Sequence, residues 1–112
     1  LTYVSDTVSG FLEIFNEPSF NGEYVNIGIN EEISISDLVA FIARLMNVET
    51  SIINDKERIR PIKSEVDRLR CDNTKLRQST DWSPSFSLSE GLLETIKWIE
   101  SNQIFYKDVY NV

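Results

Sequence analysis

Residues 72–93, D-N-T-K-L-R-Q-S-T-D-W-S-P-S-F-S-L-S-E-G-L-L, contain two helix-start signals separated by a break. Asp72 begins a short helix with few apolar positions, which must be anchored to a core by Leu76 and Trp82. Pro84 then interrupts the helical pattern. The stretch therefore predicts a short helix, a turn and a longer helix.

Capping boxes predict the starts of two amphipathic helices. In a capping box, side chains three residues apart satisfy each other's backbone N–H groups. Ser87 and Glu90 have this spacing, and Ser34 and Asp37 have it with Asp in place of the usual Glu. Asn47 is predicted to end the helix that Ser34 begins. The apolar residues of the two helices recur at helical spacing: Ile35, Leu38, Val39, Ile42, Leu45 and Met46, then Leu88, Leu92, Leu93, Ile96 and Ile99.

One more helix is predicted near the start of the chain. Ser5 or Asp6 can cap it, and Pro18 stops it. Its apolar residues follow the i, i+3, i+4, i+7 pattern: Val8, Phe11, Leu12 and Phe15.

Short strands are predicted between these helices. Residues 23–28 alternate in character, include β-forming residues and end at Gly28, so they predict a strand. Residues 50–54 predict a second short strand. Val66 and Leu69, with charged residues between them, indicate an extended edge segment. The prediction is an α+β fold with about four helices and two or three short strands.

The length of 112 residues predicts one domain with a modest core. We assign residues 1–102 to this domain and residues 103–112 to an aromatic tail. The first residues contain no initiator Met and no signal-peptide pattern. We therefore expect a chain that is part of a longer protein.

Composition excludes several classes of function. There is no histidine, which removes Ser-His and Cys-His nucleophiles and the commonest zinc ligand. Cys71 is the single cysteine, so no internal disulfide forms and a reducing cytoplasm is the expected location. A pI near 4.5 disfavours nucleic-acid binding, and no apolar run is long enough to span a membrane.

Catalytic motifs are also missing from the sequence. None of the four glycines has the spacing of G-x-G-x-x-G or of a P-loop, and no tyrosine is followed by a lysine four residues later. The acidic residues are better explained as scattered side chains on solvated helix faces than as a paired acid/base site. The chain alone is therefore predicted not to be catalytic.

Positive charge is concentrated in residues 56–77. This window holds eight of the eleven Lys and Arg residues with four acids, so it is formally +4 while the rest of the chain is −11. A local positive site on an acidic body indicates a small anionic ligand. Arg58 and Arg60 would face one side of an extended segment, and Pro61 disfavours helix there.

Two interpretations of this segment follow from the residues alone. Arg60 can make bidentate contacts with phosphate oxygens, with Glu65 accepting from sugar hydroxyls. Alternatively, the segment is a surface loop with ion pairs such as Arg58 with Glu57 or Arg68 with Glu65. Chemistry alone favours the ion-paired loop.

An ordered series of motifs changes this balance. The series is Tyr3-Val4-Ser5-Asp6, Tyr24-Val25-Asn26-Ile27-Gly28, Ile33-Ser34-Ile35-Ser36-Asp37-Leu38, Arg60-Pro61, Ser64-Glu65-Val66, Asp72-Asn73-Thr74-Lys75, Asp81-Trp82-Ser83-Pro84 and Leu88-Ser89-Glu90-Gly91-Leu92. Over residues 2–101 it resembles the C-terminal part of extended short-chain dehydrogenase/reductase enzymes. The nearest branch is the nucleotide-sugar epimerases and 4,6-dehydratases.

The resemblance implies a division of labour with a domain that this chain does not contain. In that family a Rossmann domain binds NAD and supplies the catalytic Tyr and Lys, and the C-terminal part binds the nucleotide-diphosphate sugar. Arg60 matches the phosphate-binding arginine of the family's Arg-Pro motif, and Glu65 matches an acid that contacts ribose. Two extra residues separate Pro61 from that acid. The parent enzyme is expected to be a homodimer.

Four other matched residues are predicted to be structural. Asp6 and Asp72 would cap helices, Trp82 would pack the third helix on the last, and Gly28 would close a strand. The alternative to the enzyme hypothesis is a free-standing acidic α+β protein-interaction module.

Overall fold

The computed structural model describes residues 1–53 and 69–105. Two short 3-10 helices, Pro18–Phe20 and Gln103–Phe105, occur there. The same residues contain four α-helices, as the sequence predicts: α1 (Val4–Asn16), α2 (Ile35–Met46), α3 (Thr74–Ser79) and α4 (Leu88–Ser101).

The prediction of an α+β fold with two or three strands is wrong, because the described residues contain no strand and are mainly helical. Residues 23–28 have no partner strand within ranges 1–53 and 69–105. Instead, side chains bond to their carbonyls: Lys75 Nζ donates to the Tyr24 oxygen at 3.1 Å, and Asn73 Nδ2 donates to the Gly28 oxygen at 2.6 Å. A β-strand requires backbone hydrogen bonds to a neighbouring strand, and here the carbonyl oxygens of Tyr24 and Gly28 accept from side chains instead.

The other two predicted strands also fail where they are described. Residues 50–53 are irregular, and Asn54 and Val66 lie outside the described residues. Ile53 is 87% exposed and Leu69 is 84% exposed. β-Forming residues favour a strand when they pack on a sheet, and these side chains have no such surface.

The core of the described residues lies where α1, the 3-10 turn and α3 meet. Phe20, Leu76 and Trp82 are buried together, and Val25 and Ile27 pack against them from the extended segment. This arrangement confirms that Leu76 and Trp82 anchor the short helix α3. Alternation along the segment therefore directs two side chains into the core even without a sheet.

The predicted start and end of α2 and the start of α4 are confirmed, but only half of the capping box predicted at Ser34 forms: the Asp37 carboxylate accepts from the Ser34 hydroxyl at 2.6 Å. Ser34 accepts from the Asp37 N–H at 3.0 Å, and Asn47 ends α2 in the left-handed region with φ of 53°. At α4 the capping box is complete, because Ser87 accepts from the Glu90 N–H and Glu90 accepts from the Ser87 N–H. The two helices contact each other.

Three structural assignments need correction. Asp6 does not cap α1, because Tyr3 occupies the cap position and Asp6 lies inside the first turn. Asn73 occupies the cap position of α3, although the Asp72 carboxylate does accept from the Thr74 N–H at 3.0 Å. Trp82 packs with Leu76 of α3 as predicted, but its hydrogen bonds run to α1 rather than to α4: its Nε1 donates to the Asp6 oxygen at 3.2 Å and to the Ser9 hydroxyl at 3.0 Å.

The orientation of α1 is unusual for an amphipathic helix. Its buried residues are a carboxylate, Asp6, and a glycine, Gly10. The apolar residues are exposed, by 52% to 86%: Val4, Val8, Phe11, Leu12 and Phe15. An amphipathic helix normally turns its apolar face to the core, and α1 does the reverse.

Candidate ligand-binding face

The two predicted site residues, Arg60 and Glu65, lie outside the described residues, as do Arg58 and Pro61. Their roles therefore stay predictions. The structure does describe where the chain re-emerges after this segment, at Leu69, and how the next residues attach to the core.

Asn73 attaches the chain that follows residue 69 to the extended segment, residues 23–28. It is 3% exposed, and its Nδ2 donates to the Gly28 oxygen at 2.6 Å. A second bond runs the opposite way, from Asn26 Nδ2 to the Asp72 oxygen at 3.2 Å. These two side-chain amides join positions 45 and 46 residues apart.

Gly28 is required here for close approach rather than for a turn. A Cβ on Gly28 would lie 2.8 Å from Cys71 Sγ, closer than real Cβ contacts allow. Cys71 thus packs against Gly28, and this contact attaches the last part of the basic window, residues 56–77, to the core. Cys71 acts here as a small apolar side chain that fills the space beside Gly28.

A polar groove of about 340 Å³ adjoins the anchor. Asn73 belongs to both, and Arg77 lies on the groove wall with its side chain exposed. Within the described part of the chain, no carboxylate forms an ion pair with the Arg77 guanidinium. The groove is lined by Ile29, Asn30, Glu31, Asn73, Arg77, Pro84, Ser85, Phe86 and Ser87. An exposed guanidinium beside two amides suits an oxygen-rich ligand.

Asp6 is hydrogen-bonded to two of the residues that line this groove, Ser85 and Phe86. Its carboxylate accepts from the backbone N–H of Ser85 at 2.9 Å and of Phe86 at 3.3 Å. The residue is 2% exposed. A buried carboxylate bonded to two N–H groups fixes the loop that leads into α4.

The start of α4 reaches the groove through Ser87 but is not an open anion site. Glu90 Oε2 accepts from the Ser87 N–H at 2.9 Å and from its hydroxyl at 2.6 Å. These bonds to Ser87 lower the pKa of the Glu90 carboxyl. The helix therefore supplies its own negative charge at this end.

Among the described residues, most glycine surface is covered and potential metal-ligating side chains are not clustered. Three glycines are covered by neighbouring side chains: a Cβ on Gly10 would meet Ile27, one on Gly28 would meet Cys71, and one on Gly91 would meet Tyr3. A phosphate cradle needs glycine surface open to the ligand. No group of three potential metal-ligating side chains occurs in the described ranges.

The same ranges contain no helix with the length and apolar character needed to cross a bilayer.

Sequence reasoning did not find the groove residues as a group. Asn30 is distant along the chain from Asn73 and Arg77, and the Asn73 bond to Gly28 helps to hold the two segments together. Arg77 belongs to the basic window, which was a usable signal. Nothing in the local pattern marks Asn30.

Comparisons with known proteins identify relatives across most of the chain. It is 34% identical over 99 residues to a UDP-N-acetyl-alpha-D-glucosaminuronate decarboxylase of Bacillus cytotoxicus, covering 87% of this chain and 30% of the relative. It is 31% identical over 100 residues to a putative UDP-glucose 4-epimerase of Methanocaldococcus jannaschii, covering 89% and 30%. It is 30% identical over 95 residues to a probable GDP-L-fucose synthase 1 of Oryza sativa subsp. japonica, covering 84% and 27%.

The chain thus spans less than a third of the length of these relatives, and the match is to their C-terminal part. No family model and no solved structure matches it. The similarity places the chain in the extended short-chain dehydrogenase/reductase family. Within that family it is homologous to the C-terminal part of nucleotide-sugar epimerases and dehydratases, which confirms the resemblance seen in the sequence.

Proposed function

We propose that this chain is the substrate-binding portion of an NAD-dependent nucleotide-sugar epimerase or 4,6-dehydratase and is not catalytic by itself. One observation carries the proposal. The relatives are named as a decarboxylase, an epimerase and a synthase, with UDP or GDP in each substrate name or product name. Their reactions and bases differ, so a portion common to all of them suits the shared nucleoside diphosphate better than any one reaction.

The diphosphate is assigned to Arg60. A guanidinium gives paired hydrogen bonds to phosphate oxygens, and each charge-assisted bond is about twice as strong as a neutral one. Glu65 is assigned the weaker role of accepting from ribose hydroxyls. The +4 window on a −11 body supports the assignment, because an anion is drawn to that one region.

The polar groove beside Asn73 also supports the proposal that this chain binds the substrate. Its wall includes Asn73, which anchors the last part of the basic window to the core, and Arg77, a cation with no ion-pair partner among the described residues. We assign the groove to a polar part of the same substrate. NAD is assigned to the parent enzyme's other portion, since the sequence contains no glycine-rich dinucleotide motif and three of its four glycines are covered by side chains.

The test is substrate binding by the full-length parent enzyme with Arg60→Ala. We expect binding of its nucleoside-diphosphate sugar to weaken by about 1.5–3 kcal/mol, the range for a hydrogen bond to a charged group. This raises the Kd by about 10- to 150-fold. Arg44→Ala is the matched control, because Arg44 is an exposed arginine stacked on Phe41 in α2. Equal Kd values for wild type and Arg60→Ala would refute the phosphate role.

A further inference from the structure

The polar groove of about 340 Å³ is held in shape by buried polar side chains. In the part of the chain that the structure describes, Asp6 and Asn73 are the two polar residues that are buried. Asp6 bonds two N–H groups of the loop before α4, which forms one wall of the groove. Asn73 bonds the Gly28 oxygen, immediately before the wall at residues 29–31. Buried polar groups whose hydrogen bonds are made rigidify their surroundings, so both walls are fixed before a ligand arrives.

Two oppositely charged side chains lie on this groove without pairing. Arg77 and Glu31 both line it and are exposed, and among the described residues neither has an ion-pair partner. A guanidinium only donates hydrogen bonds, and a carboxylate only accepts them. Glu31 would repel a phosphate and Arg77 would repel an ammonium group, whereas a hydroxyl group both donates and accepts. The charge pattern therefore favours a neutral group with several hydroxyls.

The remaining lining adds apolar surface and indicates the size of the ligand. Ile29, Pro84 and Phe86 line the groove, and the Phe86 ring packs against Tyr3 with the ring centroids 4.6 Å apart. Apolar surface with a few convergent polar groups is the usual composition of a small-molecule site, and such sites begin at about 300 Å³. A groove near this lower limit suits one ring rather than a whole nucleotide. The C–H faces of a pyranose ring suit the apolar surface, and its hydroxyl groups suit the charged pair.

We propose that the polar groove is the subsite for the sugar ring of the nucleotide-sugar substrate, with Arg77 donating to its hydroxyl groups and Glu31 accepting from them. Asn73 is a positioning residue, because its side chain holds the wall at residues 29–31 and its backbone oxygen accepts from the Arg77 N–H at 3.1 Å. The inference rests on the proposed function in taking a nucleotide sugar as the ligand. It deepens that function by separating the sugar from the diphosphate, which is assigned to Arg60.

The test separates the contribution of the sugar to binding from that of the nucleotide. Titration calorimetry of the full-length parent enzyme measures the Kd for UDP-glucose against UDP and for GDP-mannose against GDP, and the pair that binds is used for the variants. Arg77→Ala and Glu31→Gln should each weaken binding of the sugar nucleotide about tenfold, the loss of a hydrogen bond to a charged group, and should change binding of the nucleoside diphosphate by less than about twofold.

Matched controls are available for both charges. Arg44→Ala and Glu49→Gln change exposed residues that do not line the groove, so both Kd values should stay at their wild-type levels. Equal weakening of the sugar nucleotide and the nucleoside diphosphate by Arg77→Ala would overturn the proposal. So would wild-type affinity for the sugar nucleotide in both Arg77→Ala and Glu31→Gln, or a wild-type parent that binds none of the four probes.

A double-mutant cycle tests the positioning role of Asn73. Asn73→Ala should weaken binding of the sugar nucleotide as Arg77→Ala does, and the double variant should be little weaker than either single variant. A residue that only stabilises the fold would lower the thermal midpoint without this coupling, so additive losses would refute the positioning role. Arg60→Ala should instead weaken the sugar nucleotide and the nucleoside diphosphate alike, so failure of the proposed phosphate role is distinguishable from failure of the sugar subsite.

Discussion

The buried carboxylate of Asp6 in α1 accepts a hydrogen bond at 2.9 Å from the backbone N–H of Ser85, 79 positions along the chain. Its second oxygen accepts from Phe86, and its backbone oxygen accepts from the indole of Trp82. A single acidic residue thus joins the first helix to the loop that precedes the last one. This contact determines which side of α1 faces inward.

Asp6→Ala should therefore destabilise the 112-residue chain strongly. It removes the carboxylate acceptor of two part-buried N–H groups, and hydrogen bonds to a charged group contribute about 1.5–3 kcal/mol each. Asp6→Asn should cost less, because its amide oxygen can still accept from Ser85. Urea unfolding measures the difference, with Glu49→Ala as a control at an exposed acid outside the helices. Equal losses for Asp6→Ala and Glu49→Ala would contradict the assignment.

Asp6 also shows the limit of local sequence patterns. An acid at the start of an apolar run is a common cap signal, and the sequence alone predicts that role. The bonds to Ser85 and Phe86 depend on chain folding over 79 and 80 positions, which no local window contains. By contrast, the caps at Ser34 and Ser87 use residues three positions away and were predicted correctly.

The strand predictions failed for a related reason. Alternation in residues 23–28 correctly indicates that Val25 and Ile27 face the core. It cannot tell whether a neighbouring backbone or side chains will satisfy the carbonyls, because that depends on Asn73 and Lys75. Patterns of burial are local, whereas a ladder needs a distant partner.

Gly28→Ala should destabilise the anchor by about 1–3 kcal/mol, the usual range for overpacking. The new Cβ would meet Cys71 Sγ at 2.8 Å. Cys71→Ala removes that sulfur, so the double variant should recover part of the loss. A double-mutant cycle in urea measures this coupling. Additive losses from the two substitutions would show that the contact with Cys71 is not the cause.

Gly22→Ala serves as the matched control for this cycle. Gly22 has φ of 77° and no atom within 4 Å of a built Cβ, so its penalty comes from the backbone alone. We expect a loss of about 1 kcal/mol that Cys71→Ala does not change.

The capping box of α4 should contribute to the pH dependence of stability. Hydrogen bonds from Ser87 lower the pKa of Glu90 in the folded chain below its ordinary value of 4.5. A lowered folded-state pKa gives stability that is present above the unfolded-state pKa and is lost as pH falls through the folded-state pKa. Acid should therefore reduce the thermal midpoint from about pH 5 downward.

Glu90→Gln isolates this contribution, because glutamine can also complete a capping box but carries no charge. Its thermal midpoint, followed by circular dichroism, should lie below that of the wild type at neutral pH. The two midpoints should converge in acid. Glu49→Gln should run parallel to the wild type, and a constant gap for Glu90→Gln at every pH would exclude the charge as the cause.

The basic window was visible in the sequence, but the groove beside it was not. Counting charge over residues 56–77 finds Arg77 because the signal is compositional. Asn30 joins it where the Asn73 bond to the Gly28 oxygen helps to hold the two segments together. A groove built from separate loops has no sequence period, so its membership appears only in the folded chain.

The 112-residue chain should not turn over any nucleotide sugar when NAD is added. It has no histidine and no Tyr-x-x-x-Lys pair, and the described glycine surfaces at Gly10, Gly28 and Gly91 are covered by protein side chains. Proton transfer in the parent reaction is therefore expected to use groups outside this chain. The measurement is NADH formation and product chromatography with UDP- and GDP-sugars, run beside the full-length parent as the positive control. Turnover that rises in proportion to chain concentration, and survives repurification, would mean that the catalytic groups lie within these residues after all.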